Sequence, residues 1–265
     1  MVLDPAYAVL GGIAESREIA ACLLDRQWRV ILSTATDFPF PLPASPALTH
    51  RRGPLDAAAL SALITASRPA YVILATHPYA ENIRKLVLET VPPLNVPLLI
   101  YLRPAETIPP AAITVDSHAA AAATLSKLPG NILLTTGARN AKAYSQLLTS
   151  HPNRIYIRVL PGQKSHDDCL AAGFPSSSII QAKGPFSTTE NIRIIRQLDI
   201  QTLVTKESGK EGGFPEKIEA TRETGIRLIV IRRPPLSIPP TIPVFNAIDS
   251  LIQYLQPTQH QETQP

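Results

Sequence analysis

Short apolar runs alternate along this chain with stretches in which apolar residues recur every three or four positions, the pattern of strands alternating with amphipathic helices. Tyr7–Leu10, Arg29–Ser33, Tyr71–Ala75 and Leu98–Tyr101 read as strands, with helices at Ala14–Arg26, Asp56–Ala66 and Tyr79–Thr90. After a proline-rich link at 104–110 the pattern restarts. Helices are expected at Ser117–Leu128, Ala138–Thr149 and Ser165–Ala172, and strands at Ile132–Leu134, Arg154–Val159 and Ser178–Gln181. Ile192, Ile194, Ile195 and Leu198 then recur at helical spacing. A short strand at Leu203–Val204, a helix at Glu216–Thr224 and a strand at Arg227–Ile231 follow, and a helix at Ala247–Leu255 packs back onto one of the halves. This order implies parallel sheets covered on both faces. The expected class is α/β, with two Rossmann-like doubly wound parallel-sheet domains and a cleft between them. The expected boundaries are 1–105 for a dinucleotide-binding domain, 111–256 for a substrate-side domain and 257–265 for a flexible tail. A single wide sheet is the alternative.

Composition narrows the class. The chain has 265 residues, 45% of them hydrophobic, enough for a large core. Prolines outnumber glycines 27 to 12. They fall in strand-to-helix turns (Pro78, Pro104, Pro161, Pro185, Pro215) and in links at Phe38–Pro46, Val91–Pro97 and Pro234–Pro243. No run reaches the roughly 18 apolar residues of a membrane span, and the first residues lack a signal-peptide pattern, so a cytoplasmic protein is expected. Two distant cysteines and six scattered histidines without HxxH or HExxH spacing give no reason to expect a metal.

The net charge of +4 is unevenly spread: residues 1–110 carry nine basic and nine acidic side chains, residues 111–233 sixteen and ten. With no Lys/Arg run and 5% aromatics, the second half suits a small polyanion better than nucleic acid. No obligate protein partner is evident.

Chemistry concentrates in KGPFSTTENIRIIRQLDIQTLVTKESGKEGGFPEKIEA, residues 183–220. Two turns rich in glycine, hydroxyls and lysine flank one helix–strand unit: Lys183, Gly184 and Ser187 on one side, Lys206, Ser208, Gly209, Gly212, Gly213 and Lys217 on the other. Ser187 with Glu190 makes a capping box that aims the helix N-terminus toward the Gly184 turn. An ordinary cap beside a surface loop would look similar. The pairing of the two turns favours an anion site.

In the first half, Gly11, Gly12 and Ser16 stand between the first strand and helix, where a doubly wound fold presents amides to a phosphate. This is a partial dinucleotide fingerprint, also compatible with a plain tight turn. The second strand ends at Ser33 and Thr34 with no carboxylate before Asp37, which tilts toward NADPH, NADH remaining possible. Arg51 and Arg52 are phosphate partners or solvated charges. Thr76 and His77 end another strand, with Pro78 expected at a helix N1 position. Arg103, and Thr136 with Gly137 in the second half, also fall at strand ends and complete the expected cleft.

GGIAES, ATHPYA, LRP, LTTGARN, RVLP, KGPFSTTEN, LVTKESGKEGGFPEKIEA and VIRRP occur in the order found in precorrin-6A reductases, including the cobalt-precorrin-6A form, of the cobalamin pathway. The resemblance spans about residues 7–233. It implies two Rossmann-like domains, a reduced nicotinamide cofactor and hydride transfer to a ring double bond of a polycarboxylate tetrapyrrole. Under it, Gly11, Gly12, Ser16, Ser33, Thr34 and Thr76 hold the cofactor. Arg103, Thr136, Gly137, Lys183, Gly184, Ser187, Ser208, Gly209, Gly212, Gly213 and Lys217 meet the substrate, and His77 or Lys206 supplies a proton. Ile13, Leu74, Arg84 and Ile100 depart from the family's usual threonine, aspartate, serine and arginine. A dinucleotide-sensing module and a tetrapyrrole methyltransferase are the rival readings; the methyltransferase lacks an acidic ribose-binding strand end.

Overall fold

The computed structural model describes residues 6–35, 42, 44–151 and 153–256. Asp37, part of the expected 38–46 link and the expected 257–265 tail lie outside the described residues. The chain forms two compact units: the described residues up to Pro104 join those from Pro235 on, and Ala105–Pro234 form the other.

The first unit runs β1 (Ala6–Gly11), α1 (Ala14–Leu24), β2 (Arg29–Thr34), β3 (Leu48–Arg52), α2 (Ala57–Ser67), β4 (Tyr71–Leu74), α3 (Glu81–Thr90) and β5 (Leu98–Tyr101). The second runs β6 (Ile113–Val115), α4 (His118–Leu125), β7 (Asn131–Leu134), a 3-10 helix at Ala138–Tyr144, α5 (Ser145–Ser150), β8 (Ile155–Val159), α6 (Gln163–Ala171), β9 (Ile179–Gln181), α7 (Thr188–Gln197), β10 (Ile200–Lys206), α8 (Phe214–Thr224) and β11 (Arg227–Ile231). The chain then returns to the first unit with β12 (Val244–Phe245) and α9 (Ile248–Leu255).

Each unit holds a six-stranded parallel sheet, ordered β12-β5-β4-β1-β2-β3 in the first and β6-β11-β10-β7-β8-β9 in the second. Five strands of each sheet follow the doubly wound 3-2-1-4-5 order, with the order reversing between β1 and β4 and between β7 and β10. Each sixth strand comes from an unexpected place. β6 follows β5 in the chain yet pairs with β11, and β12 follows β11 yet pairs with β5. The domain boundary at 256 is therefore corrected, because residues 235–256 belong to the first unit. The physical reason is visible in the core: Leu251, Ile252 and Leu255 of α9 pack with Val9, Ile19 and Leu23.

Alternation along β1 separates the two faces of that sheet. Tyr7 and Val9 face α1 and α9, whereas Ala8 and Leu10 face Leu60 and Ile64 of α2 and Val87 of α3. Buried apolar residues from both layers meet on each strand, which is why β1, β4 and β5 read as continuous apolar runs. Strands β3, β6 and β12 escaped the sequence reading because they are edge strands with half-exposed patterns. The helix expected at 138–149 is a 3-10 segment running into α5, with Asn140 out of helical geometry between them.

Candidate functional site

In the first unit the turn after β1 is built around one close approach. A β-carbon added at Gly11 would lie 2.2 Å from the Ser16 β-carbon, so glycine lets α1 begin directly beneath the strand end. Gly12 has φ +135° and open space where a side chain would start, leaving bare backbone toward an approaching ligand. Ser16 is fully buried. Its hydroxyl accepts from the Gly12 N–H at 2.9 Å and the Ile13 N–H at 3.2 Å and donates to the Ile13 carbonyl at 2.7 Å. One donor and two acceptor sites are thereby filled. Ser16 thus shapes from within the turn at which a pyrophosphate contact is expected. Ile13 cannot cap α1, so the first amides of that helix have no side-chain cap and present the positive end of its dipole. The missing side chain at Gly12, whose own N–H is held by Ser16, lets a ligand approach the uncapped helix start closely, which fits a dinucleotide phosphate.

β3 delivers basic residues to the end of β2, with Ser33 opposite Arg51 and Thr34 opposite Arg52. Arg51 donates to the carbonyls of Gly53 at 2.6 Å and Pro54 at 2.9 Å. Thr34 shares a 2.9 Å hydrogen bond with His50, whose imidazole is held below its usual range first by burial and then by Arg52. Arg52 itself is exposed.

Thr76 and His77 follow β4 in half-buried positions. His77 Nδ1 accepts the Tyr79 N–H at 3.3 Å, and the His77 carbonyl accepts the Ala80 N–H at 2.8 Å. Pro78 sits within this turn and not at the N1 position of α3, which starts at Glu81. The buried Arg84 fastens the turn by donating to the Pro78 carbonyl at 2.7 Å. Arg103 also departs from expectation. Its guanidinium grips Glu15 with two parallel hydrogen bonds, Nε to Oε1 and Nη2 to Oε2, the second at 2.6 Å, with both residues buried. The carboxylate it meets is internal, not a substrate's.

In the second unit the expected turns converge at the ends of β7, β9 and β10. Glu207 is buried, paired with Arg233 and accepting the N–H groups of Gly209 and Glu106, each at 3.1 Å. This carboxylate braces the TKESG turn from behind. Ser208 donates to the Gly212 carbonyl at 3.2 Å, and Lys217 Nζ donates to the carbonyls of Gly212 at 2.8 Å and Gly213 at 2.9 Å. Gly209 and Gly213 take φ of +73° and +66° to let this turn enter α8.

A β-carbon at Gly213 would lie 3.5 Å from Lys217 Nζ and 3.7 Å from the Pro185 β-carbon. The KGPFS and GKEGGF turns are therefore neighbours, as their pairing in sequence suggested. Ser187 forms the expected capping box: it accepts the Glu190 N–H at 3.2 Å and donates its hydroxyl to the Glu190 carboxylate at 2.8 Å. Lys183 is exposed on the same loop. The Gly184–Pro185 peptide bond is cis. Gly137, at φ +79°, leaves open space where a side chain would start, beside the buried Thr136.

The cations here act on one another. Burial, then Arg158, lowers Lys217 to about 7, with Lys206 adding and Glu216 opposing. Burial, then Arg139, lowers Lys206 to about 8. His118 falls to about 4, first through burial and then through Lys206; its Nδ1 lies 3.0 Å from the buried Tyr144 hydroxyl, which burial shifts upward. Thr136 stands close enough to oppose that upward shift, though no hydrogen bond of regular geometry forms. Crowded cations that weaken each other's protonation are relieved by an anion. Arg139, Arg158, His118 and Glu207 were not singled out from the sequence. Arg158 had a signal: it is the lone charge in the otherwise apolar strand β8.

Among the described residues no cluster of three or more His, Cys, Asp or Glu is placed to hold a metal, and no helix is long and apolar enough to cross a membrane.

The family model described as precorrin-6x reductase CbiJ/CobK matches residues 7–256. A cobalt-precorrin-6A reductase of Methanothermobacter thermautotrophicus is 32% identical over 253 residues, covering 93% of this chain and 82% of that protein. One from Salmonella typhimurium is 31% identical over 235 residues, covering 85% and 86%. A precorrin-6A reductase of Rhodococcus erythropolis is 29% identical over 255 residues, covering 93% and 96%. The solved structure of a CobK precorrin-6A reductase superposes with a TM-score of 0.75 over 95% of this chain and 96% of that one, at 23% identity, and shares the fold.

Proposed function

Because this chain belongs to the precorrin-6x reductase CbiJ/CobK family, we propose that it reduces a ring double bond of precorrin-6A or cobalt-precorrin-6A in cobalamin biosynthesis, with NADPH as the hydride donor and NADH as the lesser alternative. The observation that carries this reading is the group of lysines at the end of β10 and in α8: Lys206 near 8 and Lys217 near 7, depressed by burial and by their basic neighbours. Such a field suits a substrate that brings many carboxylates, because each salt link restores the protonation that crowding removes.

Reduced nicotinamide supplies the hydride when bound, so the protein's task is binding, orientation and one proton. Gly11 and Gly12 with the uncapped start of α1 take the pyrophosphate. Ser33, Thr34 and Arg52 lie toward the adenosine ribose, and Thr76 toward the nicotinamide half. Lys183, Lys206 and Lys217 meet ring carboxylates, alongside Thr136, Gly137 and the backbone of Gly184, Gly209, Gly212 and Gly213. Lys206, lowered to about 8 and so still mostly protonated at pH 7, or His77 gives the proton that follows the hydride.

The decisive assay mixes the protein with NADPH or NADH and cobalt-precorrin-6A or precorrin-6A and follows the nicotinamide absorbance. Loss of absorbance that requires both substrates is expected. Nicotinamide binding without oxidation would instead favour a sensor.

A further inference from the structure

The arginines buried in this protein differ in one respect. Arg84, Arg103 and Arg158 are 6%, 6% and 5% exposed. Arg84 donates to the Pro78 carbonyl and Arg103 holds Glu15 with two hydrogen bonds. Arg158 has neither kind of partner. Its Nη1 is buried without a hydrogen bond, and among the described residues no carboxylate lies within ion-pair distance. Its face rests on the Phe186 ring, with the guanidinium carbon 3.8 Å from the ring centroid.

Cation–π contact offsets only part of the cost of burying a guanidinium, which needs hydrogen-bond acceptors around its edge. The nearby acids do not supply them. Glu190 favours the Arg158 charge from beyond ion-pair distance, its Oε2 being held in the Ser187 cap. Glu216 acts on Lys217 while its own Oε2 is buried without a partner. Arg158 instead disfavours the charge on Lys217, and the KGPFS loop meets Lys217 at Gly213. Phe186 belongs to that loop, whose Lys183, Pro185 and Ser187 are exposed. The unpaired Nη1 of Arg158 thus lies beneath the exposed KGPFS loop, on the side of Lys217.

We propose that Arg158 receives a carboxylate of the substrate, the guanidinium plane being held by Phe186 and the carboxylate being shared with Lys217 as the KGPFS loop yields to admit it. This deepens the functional reading above, on which the identity of the carboxylate's owner rests. The planar guanidinium matters as well as its charge, since only a fork presents parallel donors to a carboxylate.

The test uses R158M, R158K and F186L in the full chain, with two readouts. The first is titration with uroporphyrin, a polycarboxylate tetrapyrrole that needs no hydride donor; the second is KM for cobalt-precorrin-6A. R158M should weaken uroporphyrin binding and raise KM by about tenfold or more, with NADPH affinity unchanged. Its melting temperature should not fall, because an unpaired buried charge is being removed. R158K, which keeps the charge, should still lose several-fold in affinity, and F186L should lose less. Wild-type KM and uroporphyrin affinity in R158M, or wild-type values in R158K should R158M fail to fold, would overturn the assignment. Uroporphyrin binding that depends on Arg158, in a protein that leaves cobalt-precorrin-6A unreduced, would keep Arg158 and sink the reductase reading.

Discussion

A β-carbon added at Gly11 would stand 2.2 Å from the β-carbon of Ser16, and the neighbouring atom that must yield belongs to a residue fixed in the first turn of α1. Neither partner has a flexible end that can swing away. G11A should therefore push α1 from the end of β1 and cost about 1–3 kcal/mol in overpacking. It should also weaken NADPH binding, because the same shift moves the start of α1, where the pyrophosphate is proposed to bind. Urea unfolding and nicotinamide fluorescence titration check the two effects. The double variant G11A/S16G should recover part of the lost stability, and no recovery would show that the clash lies elsewhere.

Glu15 and Arg103 form a buried pair that links α1 to the residues just after β5. Removing one member strands the other charge, at a typical cost of about 3–5 kcal/mol, whereas removing both leaves no uncompensated charge. E15Q and R103M should each lower stability sharply in urea titrations, and E15Q/R103M should be more stable than either single variant. A strictly additive double variant would mean that the pair is not coupled.

The structural periods of the chain are legible in its sequence, and the partners of its polar groups are not. Buried strands such as β1, β5 and β11 were legible because their apolar runs are continuous, and the Ser187–Glu190 box was legible because both partners lie within one turn. Arg103 and Glu15 are 88 residues apart, so their pairing leaves no local signal. Nothing in GGIAES tells whether the Ser16 hydroxyl faces out or folds under. Strands β6 and β12 hid for another reason: three and two residues carry almost no periodicity, and their pairing exchanges the order that chain sequence implies. The cationic group was half legible, its lysines from TKESG and GGFPEK, its arginines only once β8 and the Thr136–Gly137 turn stood beside them.

Arg52 is the basic side chain exposed at the end of β3, opposite Thr34, whereas Arg51 already donates to the carbonyls of Gly53 and Pro54. Arg52 donates only a long Nε hydrogen bond, 3.4 Å, to His50 Nδ1, so a 2′-phosphate at the ribose would reach its exposed guanidinium more readily than that of Arg51. R52S should raise KM for NADPH by about tenfold, the scale of one charge-assisted contact, and leave KM for NADH nearly unchanged. R51S should instead lower stability by loosening the Gly53 turn. Equal effects of R52S on both cofactors would remove Arg52 from cofactor choice.

Lys206 and Lys217 make stability and substrate binding respond to pH in opposite senses. Their ordinary value is 10.5, and in the folded protein they fall to about 8 and about 7, burial being the first cause for each. Between about 7 and 10 the unfolded chain therefore holds more protons than the folded one, so stability of the ligand-free protein rises with pH across that window. A polycarboxylate prefers the protonated lysines, so its binding takes up protons and weakens as pH rises through the same window. Melting temperature should thus increase between pH 7 and pH 9 while KM for the tetrapyrrole also increases. K217M should flatten the rise in melting temperature, since a neutral side chain has no proton to lose, and should raise KM at pH 7. A melting curve for K217M that keeps the wild-type slope would show that Lys217 titrates alike in both states.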